Sequence, residues 1–293
     1  TEAAPAVARL EQLYAEATDF LTGWFNRALI SGRPPGRVRA FYPEIRLPVT
    51  SFDKVATRLS FGHVSHPGVY STTVTRPDLF RQYLTQQINL LLENHGVPVT
   101  IAVSSTPIPV HFAVAGNPDV VIPQEGALDF PLRDVFDVPD LATTNDDIVN
   151  GTLARFHDGS MPLAPFTAQR VDYSLARLSH YTATAAEHFQ NYVLFTNYQF
   201  YVDEFETYAR AMLADDRSGY TAFVATGNQE ITTHDGVIQV VTKMPQMPTY
   251  HLKRPDGQGI TLVNIGVGPS NAKTATDHIA VLRPHAWLMV GHC

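Results

Sequence analysis

The chain has 293 residues, 44% of them hydrophobic, and a formal net charge of -7 at pH 7. This composition excludes wholesale disorder, and the acidic balance argues against a protein whose main function is to bind nucleic acid. The single cysteine excludes an internal disulfide and favours a reducing compartment, while the absence of a recognisable signal peptide or long apolar run leads us to expect a cytoplasmic protein that does not bind membranes.

The first part of the chain predicts two helices separated by strands. Apolar residues at helical spacing predict a helix over 5–30, with Pro5 in its first turn. Residues 41–75 are rich in β-branched and aromatic residues and predict two or three strands, with HVSHPG as the turn between the last two. A second helix is predicted over 77–95, ending before Gly96, and VPVTIAVSS follows as a strand.

The segment 104–165 is proline-rich and weakly periodic. It predicts connecting structure with short helices, and its length favours a functional or interface role over a passive loop. A helix over 167–182, with Thr167 as its cap, is predicted to follow. We expect a domain boundary between about 165 and 190, where the character of the sequence changes.

From Tyr192 onward strands and helices alternate. The predicted strands are YVLFTN, TAFVATG, VIQVVT and WLMVG, and the predicted helices are QFYVDEFETYARAMLAD and SNAKTATDHIAVL. YHLKRPDGQGITLVNIG predicts a hairpin with its DG pair in the turn. The alternation is typical of an α/β sheet covered by helices. The predicted fold class is therefore α/β, with an N-terminal mixed α+β domain followed by an α/β sheet domain.

The turn IGVGPSNAKT between a strand and a helix is a candidate anion site. Gly266 and Gly268 allow a close backbone approach, Pro269 suits the helix start, and Ser270 is a candidate cap. The helix N-terminus offers unpaired N–H groups, to which Lys273 adds a charge. The alternative is a tight connection that binds nothing.

Other ligand classes have less support. GVGPSN lacks the third glycine of a dinucleotide fingerprint, the next strand ends without an acidic residue, and there is no Walker-type GK[ST]. Neither H-E-x-x-H nor H-x-H occurs, so we expect no metal site. In the first half, Thr75 and Arg76 stand at a strand-to-helix junction; they are a candidate effector site for phosphate or a nucleotide, or simply part of a capped helix start.

Long stretches of the chain resemble a known family. ITLVNIGVGPSNAKTATDHIAVLRPHAWLMVGHC resembles the nucleoside phosphorylase and nucleosidase superfamily. DYSLARLSHYTATAAEHFQNYVLFTNYQFYVDEF and FGHVSHPGVYSTTVTRPDLFRQYL are similar to the AMP nucleosidases, and only 104–165 is weakly similar. The resemblance implies an N-terminal domain of regulatory type over 1–165, a linker helix over 166–190, and the first part of a nucleoside-phosphorylase-like catalytic domain over 191–293.

The resemblance implies an N-glycosidase that hydrolyses AMP to adenine and ribose 5-phosphate, in purine salvage and the control of AMP levels. It also implies a homohexamer, activated by ATP with magnesium and inhibited by phosphate, with no cofactor needed for the chemistry. The family continues past V-G-H-C, so we expect a truncated chain whose catalytic acid lies beyond Cys293 and which has little activity alone.

The resemblance assigns substrate binding to two strand ends and the turn between them: Thr196, Asn197, Tyr198, Gly266, Gly268, Pro269, Ser270, Gly291, His292 and Cys293. Phosphorylases of the superfamily often carry arginine and serine where Met289 and His292 stand here, and this difference favours water over phosphate as the nucleophile. The candidate contacts to the 5'-phosphate are Arg177, His180, Tyr181, Thr182 and Lys273. Two alternatives remain: another phosphorylase or nucleosidase of the superfamily, or a non-catalytic nucleotide-sensing module.

Overall fold

The computed structural model describes residues 2–34, 36–50, 63–115 and 128–291. The chain divides into two compact units, Thr1–Tyr173 and Ser174–Cys293. The division falls within a helix, inside the segment 166–190 that the sequence predicts as a linker.

The N-terminal unit is a mixed sheet with helices. Its elements are α1 (Ala3–Ser31), β1 (Phe41–Val49), β2 (Gly68–Thr73), α2 (Arg81–His95), β3 (Thr100–Pro107), α3 (Val110–Val114), α4 (Leu132–Val135), β4 (Met161–Pro162) and the first half of α5 (Ala168–Thr182). The strand order is β3-β1-β2-β4, with β1 antiparallel to both neighbours and β2 parallel to β4. The predicted strands and short helices of this part are confirmed within the described ranges.

The core of the N-terminal unit forms around α1. Leu21 and Phe25 face inward from this helix and are 1% and 3% exposed. They belong to one apolar cluster with Tyr42 of β1 and Phe136, which follows α4. The segment after β3 therefore contributes to the core of this unit, which explains why its short helices are ordered without strong periodicity.

Helix α2 begins later than the sequence predicts. Residues 77–80 form a turn, in which the amide of Phe80 donates to the carbonyl of Arg76 at 3.1 Å, and the helix starts at Arg81. Arg76 has a φ of 43°, outside the right-handed helical region, so this residue is not part of the helix. The predicted end is confirmed, because Gly96 closes the helix in the left-handed conformation.

The second unit is built on a six-stranded sheet. After α5 come β5 (Tyr192–Thr196), α6 (Gln199–Ala214), β6 (Ala222–Ala225), β7 (Gln229–Ile231), β8 (Thr249–Lys253), β9 (Ile260–Asn264), α7 (Pro269–Ile279) and β10 (Ala286–Val290). The order is β10-β5-β9-β8-β6-β7. Strands β10, β5 and β9 are parallel, whereas β9, β8, β6 and β7 are joined antiparallel, and the predicted hairpin is confirmed as β8 and β9.

One predicted strand is wrong. VIQVVT is irregular, and Val237 and Val240 are 84% and 93% exposed. The partner of β6 is instead the short β7, and Gln229 at its start bonds the backbone of Gln239 in both directions, at 2.7 and 3.1 Å. The segment thus lies outside the sheet: Val237 and Val240 are exposed, and only Ile238 packs against the apolar cluster of this unit. Over the described ranges, no helix has the length and hydropathy to cross a membrane.

Candidate functional site

Three parallel strands end side by side at one edge of the second sheet. Thr196, the last residue of β5, pairs with Asn264 of β9 on one side and with Val290 of β10 on the other. The carboxyl ends of parallel strands are the usual position of ligand sites in α/β sheets. The turn after β9 and the tip of β10 therefore converge on this edge, as the sequence predicts.

The turn after β9 is held by short-range hydrogen bonds. Ile265 donates its amide to the carbonyl of Thr196 at 2.8 Å, and the amide of Gly266 donates to Asn264 Oδ1 at 3.1 Å. Asn271, one turn into α7, donates from Nδ2 to the carbonyl of Ile265 at 3.0 Å. Because both ends of the turn are bonded, the start of α7 has a fixed position relative to the strand end.

Helix α7 begins with an open N-terminus. Its N-cap is Gly268, with a φ of 122°, and Pro269 is the first helical residue, as predicted. The predicted capping role of Ser270 is wrong, because this residue already lies inside the first helical turn and no described side chain caps the helix. The free N–H groups therefore remain available to an anion. Lys273 is 80% exposed and lies 4.0 Å from Asp277, so its charge is shared with a neighbouring carboxylate.

Asn197 and Tyr198 follow β5 and approach the tip of β10. Tyr198 donates its amide to Thr196 Oγ1 at 3.2 Å. A Cβ placed on Gly291 would lie 3.7 Å from Asn197 Oδ1 and 3.7 Å from Tyr198 Cε2. Asn197 Oδ1 is buried and accepts no hydrogen bond from any residue that the structure describes. His292 and Cys293, predicted to line the same place, lie outside the described residues.

The predicted phosphate contacts on α5 have mixed surroundings. Arg177 places its guanidinium 4.5 Å above the ring of Tyr181 and donates to the Tyr181 hydroxyl, while its buried Nε has no hydrogen-bond partner within the described ranges. His180 is exposed and meets Tyr181 edge-on at 5.4 Å. Thr182 is 1% exposed and donates to the carbonyl of Leu178 at 2.8 Å, which favours a structural role for its hydroxyl.

A short segment connects the end of α5 to the start of α7. Met247 donates its amide to the carbonyl of Tyr181 at 2.9 Å, and the neighbouring Gln246 donates from Nε2 to Asn271 Oδ1 at 3.0 Å. Asn271 in turn bonds the turn after β9. The end of α5 is thus connected to the turn after β9 through Met247, Gln246 and Asn271.

The candidate effector residues of the N-terminal unit have internal partners. Thr75 is 3% exposed, and its hydroxyl donates to Asp172 Oδ1 at 2.7 Å. Arg76 donates to the carboxylate of Asp78 from Nε at 3.1 Å and from a terminal nitrogen at 2.9 Å. These contacts favour the structural alternative at this junction.

The second sheet also contains a buried histidine that no sequence motif indicates. His251 on β8 is fully buried; its Nδ1 lies 2.9 Å from Thr261 Oγ1 and its Nε2 3.2 Å from Thr184 Oγ1. Burial holds the pKa of His251 well below its usual value. The only sequence signal is a polar residue at an inward position of YHLK, which does not reveal its partners.

The hydroxyl groups around His251 define its tautomer. Thr182 donates to Leu178, so the Thr184 hydroxyl, 2.9 Å away, donates to Thr182 and accepts from His251 Nε2–H. His251 Nδ1 then accepts from the hydroxyl of Thr261, whose oxygen accepts the amide of Gln190 at 2.9 Å. Both ring nitrogens of neutral His251 therefore have hydrogen-bond partners. This indicates that His251 has a structural role. Within the described parts of the chain, no cluster of three or more His, Cys, Asp or Glu residues could hold a metal.

Comparisons with known proteins agree with the sequence resemblance. The family model described as "Bacterial AMP nucleoside phosphorylase N-terminus" matches residues 5–160. The chain is 40% identical over 302 aligned positions to the AMP nucleosidases of Escherichia coli K12 and Escherichia coli O157:H7. Each alignment covers 99% of this chain and 61% of the relative, so the chain spans less than two thirds of the length of these curated proteins. A crystal structure of AMP nucleosidase from Bacteroides thetaiotaomicron VPI-5482 matches with a TM-score of 0.29 and 22% identity, over 42% of this chain and 40% of that chain.

Proposed function

Because the chain belongs to the family described as the bacterial AMP nucleoside phosphorylase N-terminus, we propose that the protein carrying it hydrolyses the N-glycosidic bond of AMP. The products are adenine and ribose 5-phosphate. The 40% identity to curated AMP nucleosidases supports this substrate and this reaction. The physiological role is purine salvage and control of the AMP level.

The observation that carries the proposal is the meeting of three strand ends at one sheet edge. The register of Thr196 with Asn264 and Val290 brings the start of α7 to the same edge as Asn197, whose Oδ1 has no hydrogen-bond partner among the described residues. In the proposal, the N–H groups at the start of α7 bind the anionic 5'-phosphate. Binding energy from this remote group orients the sugar for cleavage, which raises the rate of the chemical step.

The finer features belong to the same proposal. The protein is a cytoplasmic homohexamer that does not bind nucleic acid, activated by ATP with magnesium and inhibited by phosphate, as the family resemblance implies. The net charge of -7 supports the lack of nucleic-acid binding. Arg177, with an unbonded Nε within the described ranges, remains the strongest candidate on α5 for a second contact to phosphate.

The test is the reaction of AMP with the full-length protein that carries this chain. We expect adenine and ribose 5-phosphate in equal amounts, with adenosine a much poorer substrate because it lacks the anchoring group. The product must be identified with and without added phosphate, since the family description names a phosphorylase. Formation of ribose 1,5-bisphosphate that requires phosphate would establish phosphorolysis instead, and no release of adenine from AMP would refute the proposal.

A further inference from the structure

Asn197 combines a buried acceptor with a position at the proposed site. The residue follows directly after β5, the middle strand of the parallel group, beside the tip of β10. Its Oδ1 is buried and unbonded as far as the described residues extend. Buried side-chain oxygens in folded proteins are normally hydrogen-bonded, so an unbonded one at a ligand-facing edge indicates a missing donor.

The chemistry of the carboxamide oxygen limits what that donor can be. Oδ1 is a neutral acceptor, so it favours an O–H or N–H group and offers no attraction to an anion such as phosphate. It is also too weak a base to remove a proton. A group that accepts a hydrogen bond without taking the proton orients its partner but does not activate it.

We propose that Asn197 positions the attacking water by accepting one of its O–H groups, and this inference rests on the proposed hydrolysis of AMP. With that O–H directed to Asn197 Oδ1, a lone pair of the water is free to point at C1' of the ribose. The water oxygen bonds to C1' as the C1'–N9 bond breaks, and the bonding electrons remain on N9. Adenine gains one proton and the water loses one, so the reaction consumes AMP and one water without other reactants.

Orienting the water without deprotonating it is sufficient for this reaction. Cleavage of a glycosidic bond proceeds through an oxocarbenium-like transition state, in which the sugar carbon is already strongly electrophilic. The nucleophile then needs correct placement more than deprotonation. A neutral acceptor also supplies no positive charge to hold phosphate in the place of the water, which fits hydrolysis as the proposed reaction.

Gly291 lies beside the acceptor and brings no side chain of its own to it. A side chain at this residue would begin 3.7 Å from Asn197 Oδ1, in ordinary van der Waals contact with it. Such a methyl group does not clash with the protein, but it places an apolar group next to the acceptor. Replacement of Gly291 by alanine therefore interferes with the water while leaving the amide of Asn197 intact.

The test uses Asn197→Leu and Asn197→Asp in the full-length protein, with Gln199→Leu as a control two residues away. Leucine has the shape of asparagine without the acceptor, whereas aspartate keeps it. We expect kcat for AMP to fall roughly 100-fold in Asn197→Leu with KM nearly unchanged, a loss about tenfold smaller in Asn197→Asp, and parental kinetics in Gln199→Leu.

A second readout separates water positioning from structural damage. In water–methanol mixtures, the ratio of methyl ribose 5-phosphate to ribose 5-phosphate reports how selectively the nucleophile is held. We expect this ratio to change in Asn197→Leu and in Gly291→Ala but not in Gln199→Leu. Gly291→Ala carries the test alone if Asn197→Leu does not fold.

The outcomes are distinguishable. A parent protein that does not hydrolyse AMP refutes the proposed function itself. If the parent is active, an unchanged kcat and an unchanged product ratio in Asn197→Leu overturn the role of Asn197. A rise in KM at constant kcat also overturns it, because Asn197 would then bind a donor group of the substrate and not the water.

Discussion

Tyr42 donates a hydrogen bond of 2.5 Å to Oδ2 of Asp172, and both side chains are buried. The other oxygen of the carboxyl accepts from Thr75, whose hydroxyl also lies 3.1 Å from that of Tyr14. Burial raises the pKa of Asp172 to about 6, although the hydrogen bonds from Tyr42 and Thr75 act in the opposite direction. The N-terminal unit thus contains a carboxyl group that ionises in a polar but enclosed environment.

Asp172 gives the N-terminal unit a distinctive pH dependence. Because its folded pKa exceeds the ordinary value of 3.8, its contribution to stability is fully present below about pH 3.8 and is lost as the pH rises through about 6. We expect Asp172→Asn to remove this loss, which amounts to about 3 kcal/mol. Urea unfolding of parent and variant at pH 4.5 and pH 7.5 covers about 2 kcal/mol of it, because the carboxyl of the unfolded chain already ionises above pH 3.8.

The matched control for this measurement is Asp19→Asn. Asp19 is an exposed carboxylate on α1 of the same unit. Its replacement should leave the pH dependence of unfolding at the parental value. Equal pH dependence in the parent and in Asp172→Asn would show that folding does not raise the pKa of Asp172.

His251 produces the opposite pH dependence in the second unit. Its folded pKa lies well below 6.5, so its contribution to stability is present above pH 6.5 and is lost as the pH falls. We expect the parent to lose up to about 1.4 kcal/mol per pH unit below 6.5 from this residue. His251→Gln, followed by denaturant unfolding from pH 5 to 8, should flatten this dependence. The exposed His234→Gln serves as the control, and a slope that survives in His251→Gln would contradict the assignment.

Thr167 caps the helix that leads from one unit to the other. Its Oγ1 accepts the amide of Arg170 at 3.2 Å and donates to the carbonyl of Thr143 at 2.7 Å. We expect Thr167→Ala to lower the free energy of unfolding by about 1 kcal/mol, because an amide in the first turn loses its partner. Thr167→Ser keeps the hydroxyl and should recover most of the loss in a thermal melt. A serine variant as unstable as the alanine variant would show that the methyl group, not the cap, matters.

Gly268 fixes the geometry of the turn at the proposed anion site. A φ of 122° is accessible to glycine but not to residues with a side chain. We expect Gly268→Ala to cost about 1–3 kcal/mol or to shift the start of α7, and to raise KM for AMP by at least about tenfold.

Gly96→Ala is the control that separates the effect of backbone strain on stability from an effect on AMP binding. Gly96 also has a positive φ, of 61°, but it ends α2 in the N-terminal unit, where an added Cβ would meet open space. This variant should lose stability without a change in KM. A Gly268→Ala variant with parental KM would exclude a role for the turn in binding AMP.

Local signals predicted the helices and the strand ends well. Thr167 and Gly96 act through neighbouring backbone groups, so their positions define helix ends without knowledge of the tertiary structure. The meeting of Thr196 and Asn264 follows from the rule that parallel strands end at a common edge. The predicted start of α2 at Pro77 is wrong, because the turn over residues 77–80 has no clear signature in its residue types.

Features that depend on distant partners were not predictable. Asp172 accepts a hydrogen bond from Tyr42, which lies 130 positions earlier in the chain. No sequence pattern connects the two residues. The same holds for His251 and Thr184, which are 67 positions apart. The family resemblance assigns Asn197 to substrate binding, but only the packing around β5 and β10 shows that its Oδ1 has no partner among the described residues. The predicted strand VIQVVT is wrong for a related reason. The β propensity of its residues does not determine whether the segment pairs with a sheet in the folded protein.

The mixed topology of the second sheet has a consequence for the order in which the unit folds. The antiparallel β8 and β9 are joined by a tight turn and can pair as soon as both are synthesised. Strand β5 must wait for β9 and β10, which follow it much later in the chain, and such non-local parallel pairing is slow. We therefore expect the hairpin to form early in folding and the edge that carries Asn197 to be completed last, so that mutations slowing the final pairing would delay the gain of activity behind the gain of secondary structure.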